Sequence, residues 1–284
     1  MPRPPETLKF AQATLLDARR QTRFAAAVKK AELEKDSPMV KTFRAAWRLV
    51  FFGATLLAAT LDFAVRIWLA GKRGDIRARC EWMSRWTRTL MRCVNLHAEY
   101  SGRPPRAGLL VSNHLSYLDI VVFGARLPSV FVSKADVRGW PALGFLAKLA
   151  GTLFIRRERR ADVSPLNAQV SALVGAGVVV VVFPEGTSSD GRAVQPFFSS
   201  LLEPAVAGGC AVTPAFIRYR VADGVVEDEI CYWRDMTFGP HFLNLLTKRE
   251  IHASVRFGLP HPPARDRKQL ARELHQAVRE LGGR

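Results

Sequence analysis

An uninterrupted apolar segment, Val178 to Phe183, constrains the fold of this 284-residue chain more than any other feature. Five valines and a phenylalanine follow one another with no polar residue between them. A strand of this kind has both faces buried, as at the centre of a parallel sheet. Parallel strands are joined by crossovers that are usually helical, so such a strand implies strands alternating with helices. The segment therefore predicts an α/β fold.

From about residue 95 onward, short apolar segments alternate with stretches of helical periodicity. These patterns predict a mostly parallel central sheet flanked by helices. Strands are expected at 94–100, 108–112, 129–133, 152–156, 178–183, 211–218 and 252–258, and helices near 116–125, 141–150, 163–175, 199–207 and 265–281.

The residues before the sheet have the composition of a membrane-contacting region. Residues 1–48 form a basic segment, and an apolar run from Leu49 to Val65 follows, interrupted by Asp62 and, just beyond it, by Arg66. The uninterrupted part is shorter than the roughly 20 residues that a bilayer span requires. We predict an N-terminal helical membrane-docking region over 49–94, an apolar helix in the membrane interface followed by an amphipathic helix. A true span and a buried core helix are the alternatives.

The formal net charge is +17. A surface this basic attracts anionic lipid, nucleic acid or a polyanionic substrate. The sequence has neither a zinc-ligand spacing nor a nucleic-acid-binding signature, so we expect no nucleic-acid partner and no metal. The four cysteines form no C-x-x-C pair, which is typical of a reducing compartment. The positive net charge and the apolar run from Leu49 to Val65 together predict that the protein docks on an anionic membrane surface.

His114 and Asp119 follow the predicted strand 108–112 and form a candidate base with its orienting carboxylate. A carboxylate that binds one ring nitrogen leaves the other free to take up a proton. The pair requires His114 in the turn and Asp119 in the first turns of the next helix. The alternative is structural, with Asp119 and Ser116 capping a helix and His114 packed in the core.

Two further predicted strands end in charged groups. Arg156 and Arg157 end one of them, and a guanidinium fits phosphate or carboxylate oxygens, although charge runs are usually just solvated. After the valine strand, Pro184 stops the strand and Gly186 permits a sharp turn, which projects Glu185 from the strand end. Glu185 could bind a polar headgroup, orient one of the arginines or pair with another base.

The order of these groups along the chain carries more weight than any one of them. In an open sheet the carboxyl ends of parallel strands gather along one edge, where binding crevices form. We therefore expect an imidazole, a guanidinium and a carboxylate to share one pocket, which the segment Val212-Thr213-Pro214 helps to wall.

With these blocks in this order, the sequence resembles the glycerolipid acyltransferases, the lysophospholipid acyltransferase family that includes bacterial 1-acylglycerol-3-phosphate acyltransferase. The resemblance covers about residues 95–260 and implies an acyltransferase domain over 95–262, with a C-terminal helix over 263–284. Four blocks carry it: Asn113 to Asp119 (N-H-x-x-x-x-D), Gly151 to Arg157, Phe183 to Thr187 (F-P-E-G-T) and Val212 to Pro214.

The resemblance also implies a mechanism. His114 takes the proton of a lysolipid hydroxyl while Asp119 steadies the imidazole, and the alkoxide attacks the thioester of acyl-CoA or acyl-carrier protein directly, without a cofactor. The expected location is the cytoplasmic face of a bacterial inner membrane, with acyl-carrier protein as a candidate partner. The implied substrate-binding residues are Asn113, Arg156, Arg157, Glu185, Gly186, Thr187 and Ser188.

One position departs from the pattern of many phosphatidic-acid-forming members, which carry arginine directly after F-P-E-G-T. Here that residue is Ser188. The missing cation weakens the case for 1-acylglycerol-3-phosphate (lysophosphatidic acid), which is still the acceptor we expect, in phospholipid biosynthesis. The alternative acceptor is lyso-ornithine lipid, whose headgroup has no phosphate. Alternatives from other classes are a lipid or thioester hydrolase and a basic nucleic-acid-binding protein.

Overall fold

A computed structural model describes residues 36–140, 143–155 and 160–283, with the side chains of 160–164 excepted. Residues 1–35 of the predicted basic segment lie outside the described residues. Seven strands form one sheet: β1 (Leu96–Ser101), β2 (Gly108–Ser112), β3 (Ser129–Lys134), β4 (Leu153–Ile155), β5 (Val179–Val182), β6 (Val212–Val221) and β7 (Ile251–Phe257).

Nine α-helices accompany the sheet in the described part of the chain. They are α1 (Pro38–Phe63), α2 (Ile76–Cys93), α3 (Leu118–Arg126), α4 (Leu143–Ala150), α5 (Arg160–Gly175), α6 (Glu203–Ala207), α7 (Val226–Glu229), α8 (Phe238–Thr247) and α9 (Arg267–Leu281). A π-helical turn, Ala64–Leu69, continues α1, and short 3₁₀ turns cover Ala135–Gly139 and Ser199–Leu202.

The sheet has the strand order β1-β7-β6-β2-β5-β3-β4. Every neighbouring pair is parallel except β6 and β7, which run antiparallel, so the predicted mostly parallel sheet is confirmed. The valine strand β5 lies between β2 and β3, and all four of its residues are buried. Its lack of polar alternation is explained by neighbours on both sides and cores on both faces.

Alternate residues of the central strands supply two separate cores. Leu110 and Val181 contribute to the core beneath α3 and α8, whereas Leu109 and Val180 contribute to the core beneath α5 and α9. This division follows from the two-residue period of a strand, which points successive side chains to opposite faces.

Helix α1 begins at Pro38, so the boundary expected at residue 48 falls inside it. Ser37 caps the helix by accepting from the Val40 N–H at 3.3 Å, and Pro38 occupies the first helical position, where its missing donor is not needed. The charge within the apolar run is paired, since Asp62 contacts Arg66 at 2.6 Å and Arg85 of α2 at 3.0 Å. Helices α1 and α2 pack as an antiparallel hairpin.

One face of α1 is exposed along its whole length. The helix and its π-helical turn, Pro38–Leu69, are long and apolar enough to cross a membrane, but only 22% of the most apolar window is buried inside the protein. That low fraction does not fit the core-helix alternative. We call the exposed face the apolar stripe; it consists of Met39, Phe43, Trp47, Val50, Leu57, Leu61, Val65 and Trp68.

Candidate active site

His114 lies in the loop between the end of β2 and the start of α3. Its Nδ1 is 2.8 Å from Oδ2 of Asp119, which lies in the first turn of α3, as the five-residue spacing predicts. Because a carboxylate oxygen only accepts, Nδ1 carries the ring proton and Nε2 is left as the basic nitrogen. The imidazole side chain is 20% exposed, whereas that of Asp119 is fully buried. The ring can therefore meet a substrate that its partner cannot.

The buried carboxylate of Asp119 is held by four donors. Besides the imidazole, Oδ2 accepts from the backbone N–H of Leu115 at 2.7 Å and of Ser116 at 3.2 Å. Oδ1 accepts from the hydroxyl of Tyr219 at 2.6 Å. Hydrogen bonds of this kind favour the charged carboxylate despite burial. Asp119 thus orients the imidazole and also binds the backbone of the loop, whereas the alternative of a Ser116 cap is not seen, since α3 has no side-chain cap hydrogen bond.

Tyr219 comes from β6, a hundred residues along the chain. Burial, and then the nearby charge of Asp119, hold the pKa of this phenol well above its ordinary value. The phenol therefore stays protonated and remains a donor. Sequence reasoning missed this residue, because no local pattern marks which side chain of a distant strand meets Asp119.

Phe183 supports the imidazole from one side. Its ring stacks on His114 with centroids 4.2 Å apart and an interplanar angle of 13°. The phenylalanine ends the valine strand, so the strand of the third block positions the base of the first block. This contact fixes the plane of the imidazole while Asp119 fixes its rotation.

The F-P-E-G-T turn follows directly. Gly186 has φ +80°, a conformation that favours glycine, and its N–H donates to the Phe183 carbonyl at 3.1 Å. Glu185 is 2% exposed. Its carboxyl group accepts from the backbone N–H of Gln195 at 3.2 Å and from the backbone N–H of His114. Glu185 thus binds backbone in this structure, and the predicted contact with a polar headgroup stays a prediction.

Burial raises the pKa of Glu185 to about 8. A carboxyl group with this pKa is mostly protonated at neutral pH. Its Oε2 is buried without a hydrogen-bond partner among the described groups. Glu185 therefore carries little charge next to Asp119, and its role in this geometry is to hold the loop that carries His114.

The remaining predicted site residues divide into two groups. Thr187 is exposed beside the catalytic loop, and the Ser188 hydroxyl donates to the backbone carbonyl of Tyr232. Asn113 is buried, and its amide binds the backbone N–H and carbonyl of Ile217 at 2.8 and 2.9 Å. Asn113 thus joins the end of β2 to β6, and its predicted contact with substrate stays a prediction.

Arg156 and Arg157 lie outside the described residues, so the predicted anion clamp stays a prediction. Within the described residues, the structure brings the first and third blocks together at the carboxyl edge of the sheet, and Ser189 N–H further ties them by donating to the His114 carbonyl at 3.0 Å. In the same part of the chain, no group of three His, Cys, Asp or Glu side chains could hold a metal ion.

A group of aromatic residues adjoins the catalytic loop, and sequence reasoning identified no motif for it. Tyr117 of the loop binds Nδ1 of His241 at 2.9 Å, and Nε2 of His241 binds the Cys231 carbonyl at 3.0 Å. Burial lowers the pKa of His241, so the ring is neutral, donates through Nε2 and accepts from Tyr117. Trp140 and Tyr232 pack edge-on against each other and against Tyr117. These rings separate the loop from α8.

A base oriented by a buried carboxylate, at a strand-end loop of a mostly parallel sheet, defines the site of an α/β enzyme that activates a hydroxyl or water. Comparison with known proteins identifies the class further. A family model described as Acyltransferase matches residues 93–218, which include both the catalytic loop and the F-P-E-G-T turn.

Relatives and a solved structure agree with this match. The lyso-ornithine lipid O-acyltransferase of Pseudomonas aeruginosa is 35% identical over 82% of this chain and 92% of its own. The 1-acyl-sn-glycerol-3-phosphate acyltransferase of Neisseria gonorrhoeae is 38% identical over 42% of this chain and 48% of its own. The chain belongs to the acyltransferase family, and the resemblance seen in the sequence is confirmed.

The fold has a solved counterpart. The crystal structure of the 1-acyl-sn-glycerophosphate acyltransferase PlsC from Thermotoga maritima matches with a TM-score of 0.58 and 20% sequence identity. The match covers 87% of this chain and 96% of that one.

Proposed function

We propose that this protein transfers an acyl group from a thioester donor to the free hydroxyl of a lysolipid. The observation that carries the proposal is the His114–Asp119 pair, whose hydrogen bond engages Nδ1 and leaves Nε2 to face the substrate from a partly exposed ring. Family membership selects acyl transfer from the reactions that such a base can promote.

The proposed reaction has one chemical stage without an acyl-enzyme. Nε2 of His114 accepts the proton of the lysolipid hydroxyl as the oxygen attacks the thioester carbonyl carbon. The new C–O bond forms, the C–S bond breaks, and the thiolate leaves with the proton that the imidazolium returns. Asp119 stabilises the imidazolium in between, and its four donors keep that carboxylate charged without moving.

The acceptor that we propose first is lyso-ornithine lipid. The Pseudomonas relative with that name matches over nearly its full length, whereas the Neisseria relative named for 1-acylglycerol-3-phosphate matches over about half of its own. Ser188 supports this order, since it supplies no positive charge after the F-P-E-G-T turn and its hydroxyl is engaged with Tyr232. The second candidate is 1-acylglycerol-3-phosphate, which the Neisseria match supports and which the sequence had placed first.

The donor and the location also belong to the proposal. Acyl-CoA and acyl-carrier protein are the two donor classes, and both are anionic partners that a chain of charge +17 attracts. The apolar stripe of α1 supports docking in the plane of a membrane, with the opposite face of the helix packed on the protein. All four cysteines are free, which supports the cytoplasmic face of a bacterial inner membrane.

An acceptor panel tests the function. Purified protein is given labelled acyl-CoA or acyl-carrier protein with lyso-ornithine lipid, 1-acylglycerol-3-phosphate or no acceptor, and the labelled products are separated. We expect ester formation with lyso-ornithine lipid, a loss of about 10²–10⁴-fold in His114→Ala, and little change in the matched control His97→Ala, an exposed histidine of β1.

Two outcomes would contradict the proposal. Free fatty acid formed at the same yield with and without a lysolipid would make the protein a hydrolase. A His114→Ala variant as active as the wild type would remove His114 from the chemistry, whichever acceptor is used.

A further inference from the structure

A second cleft lies at the edge of the sheet opposite the active site. Its cavity volume is about 510 Å³. It is formed where β2, β3 and β5 begin, and its floor includes the buried residues Cys80, Leu127 and Val179. His114 follows the other end of β2. Five residues at about 3.3 Å each separate the two ends, so cleft and base lie roughly 15 Å or more apart.

The rim of this cleft is cationic. Four arginines line it, namely Arg77, Arg103, Arg106 and Arg126, with Glu81 as the one carboxylate among the lining residues. All four arginines are exposed. In the part of the chain whose side chains are described, no carboxylate forms an ion pair with any of them. Four like charges around one opening repel each other, and an anion bound between them would relieve that repulsion.

The α1–α2 hairpin connects this cleft to the membrane-facing surface. Helix α2 ends at Cys93, next to the start of β1 on the catalytic side, and begins at Ile76, where Arg77 lines the cleft. The end of the apolar stripe lies at the same end of the hairpin, where Arg73 covers the exposed Trp68 at 4.1 Å. Aromatic and basic residues in this order are typical of a membrane–water interface.

We propose that this arginine cleft binds the phosphate of an anionic phospholipid headgroup. The inference relies on the membrane docking of the proposed function and adds a site that the acyl-transfer reaction does not use. Guanidinium groups bind phosphate oxygens through paired N–H donors. The apolar floor suits the glycerol and first acyl carbons beneath the phosphate. Bound there, the lipid anchors the far end of α1 while the catalytic end meets its substrates.

Vesicle binding tests the site with a matched control. The cleft variant Arg103→Gln/Arg106→Gln/Arg126→Gln is compared with Arg265→Gln/Lys268→Gln/Arg272→Gln, which removes the same charge from exposed positions in and just before α9. Binding is measured on phosphatidylcholine vesicles with and without phosphatidylglycerol. We expect the cleft variant to bind the anionic vesicles about 30-fold more weakly than the wild type, because each basic residue near the membrane surface adds to the binding free energy. The control should bind less than about threefold more weakly.

Hydrogen exchange locates the effect. Anionic vesicles should slow amide exchange at Ala107, Gly108, Gly177 and Val178 of the wild type, and phosphatidylcholine alone should not. Equal weakening of both variants would overturn the site in favour of general surface charge. Slowing of the same amides by glycerol 3-phosphate alone, at constant ionic strength, would overturn the lipid in favour of a soluble phosphate. A wild type that binds neither kind of vesicle would refute membrane docking. Acyl transfer to detergent-dispersed lysolipid, measured in a separate assay, tests the proposed reaction independently of membrane binding.

Discussion

Single residues around Asp119 determine how well the base is held. The carboxylate is buried, no described arginine or lysine pairs with it, and its charge is stabilised by hydrogen bonds from the imidazole, two backbone N–H groups and Tyr219. The backbone donors belong to the loop itself. The phenol comes from the sheet, so it ties the orientation of the loop to the core.

Replacing Tyr219 with phenylalanine should slow the reaction without weakening substrate binding. The buried Oδ1 of Asp119 loses its donor, and hydrogen bonds to charged groups contribute about 1.5–3 kcal/mol, so kcat should fall about 10- to 100-fold with KM nearly unchanged. Steady-state kinetics measure kcat and KM separately.

The matched control for this change is Tyr100→Phe. The Tyr100 hydroxyl donates to the Val122 carbonyl at 2.8 Å, also on α3, but does not contact Asp119. The control should lose some stability and keep the kcat of the wild type. If both variants lower kcat equally, Tyr219 is a packing residue and not a positioning residue.

Glu185 should make the protein less stable as pH rises. Its pKa is raised to about 8 in the folded state, against an ordinary value near 4.5, so between these values the native state retains a proton that the unfolded chain has released. Stability therefore declines across this window, by up to about 1.4 kcal/mol per pH unit. Glu185→Gln, which keeps the acceptor for Gln195, should remove this decline.

Urea unfolding at pH 5.5 and pH 8 measures the effect. The unfolding free energy of Glu185→Gln should rise relative to that of the wild type as pH increases toward 8. Glu280→Gln, an exposed glutamate of α9, is the control and should run parallel to the wild type. Parallel curves for all three proteins would mean that Glu185 is ionised in the folded state at neutral pH.

At the residue scale, the sequence predicted local relations well and distant ones poorly. The His114–Asp119 contact follows from spacing and from the strand before it. The contacts of Tyr219, and the stacking of Phe183 on the imidazole, depend on how separate strands align in the sheet. Pairing register is set by the whole fold, and a single sequence carries no local sign of it.

Among the elements, α1 has two faces with different tasks. Its inner face is fixed to the protein: Trp82 of α2 donates to the Ala59 carbonyl at 3.0 Å, and Arg48 donates to backbone carbonyls at the end of α8, including that of Leu246 at 3.1 Å. Phe52 packs against Phe242 of α8, with ring centroids 4.7 Å apart. A helix held along one side in this way presents its apolar stripe in a fixed direction.

Replacing two leucines of the stripe should weaken membrane binding and leave folding intact. Leu57 and Leu61 are 63% and 58% exposed, so Leu57→Gln/Leu61→Gln should change the unfolding free energy by less than about 0.5 kcal/mol per site. Burying a leucine in the bilayer contributes about 1.5–3 kcal/mol, so vesicle affinity should fall at least about tenfold. Vesicle sedimentation and thermal unfolding measure the two effects.

The control replaces exposed apolar residues elsewhere, Val225→Gln/Leu259→Gln, which are 51% and 86% exposed. It should bind vesicles like the wild type. A stripe variant with undiminished affinity would show that α1 does not face the membrane.

Most elements could be predicted from the sequence, and the exceptions have physical causes. All seven strands lie where apolar periodicity places them, and so do the helices from α3 to α6 and α9, whereas α7 and α8 between β6 and β7 were not predicted. The start of α1 was placed too late because the apolar run was used as its signal, whereas Ser37 and Pro38 mark a capped start ahead of it. The antiparallel β6–β7 pair was not predicted, because a connection containing helices α7 and α8 serves either strand direction.

At the scale of the whole molecule, the charge, the stripe and the hairpin act on one surface. The catalytic loop lies at one end of the α1–α2 hairpin and the arginine cleft at the other, and the apolar stripe runs between them. A protein of charge +17 approaches an anionic bilayer through long-range attraction, and the stripe then holds it by short-range burial. These two contributions respond differently to salt.

Raising the salt concentration should therefore raise the apparent KM on anionic vesicles and leave the reaction in neutral detergent micelles nearly unchanged. The Debye length falls from about 10 Å at 0.1 M to about 3 Å at 1 M, so attraction between the basic surface and the bilayer is screened, whereas hydrophobic burial is not. We expect the KM for lysolipid in phosphatidylglycerol vesicles to rise about tenfold between these conditions, with kcat changed less than about twofold. The same lysolipid in a neutral detergent is the control. A parallel rise in both systems would place the salt effect on the acyl donor or the active site instead of the membrane surface.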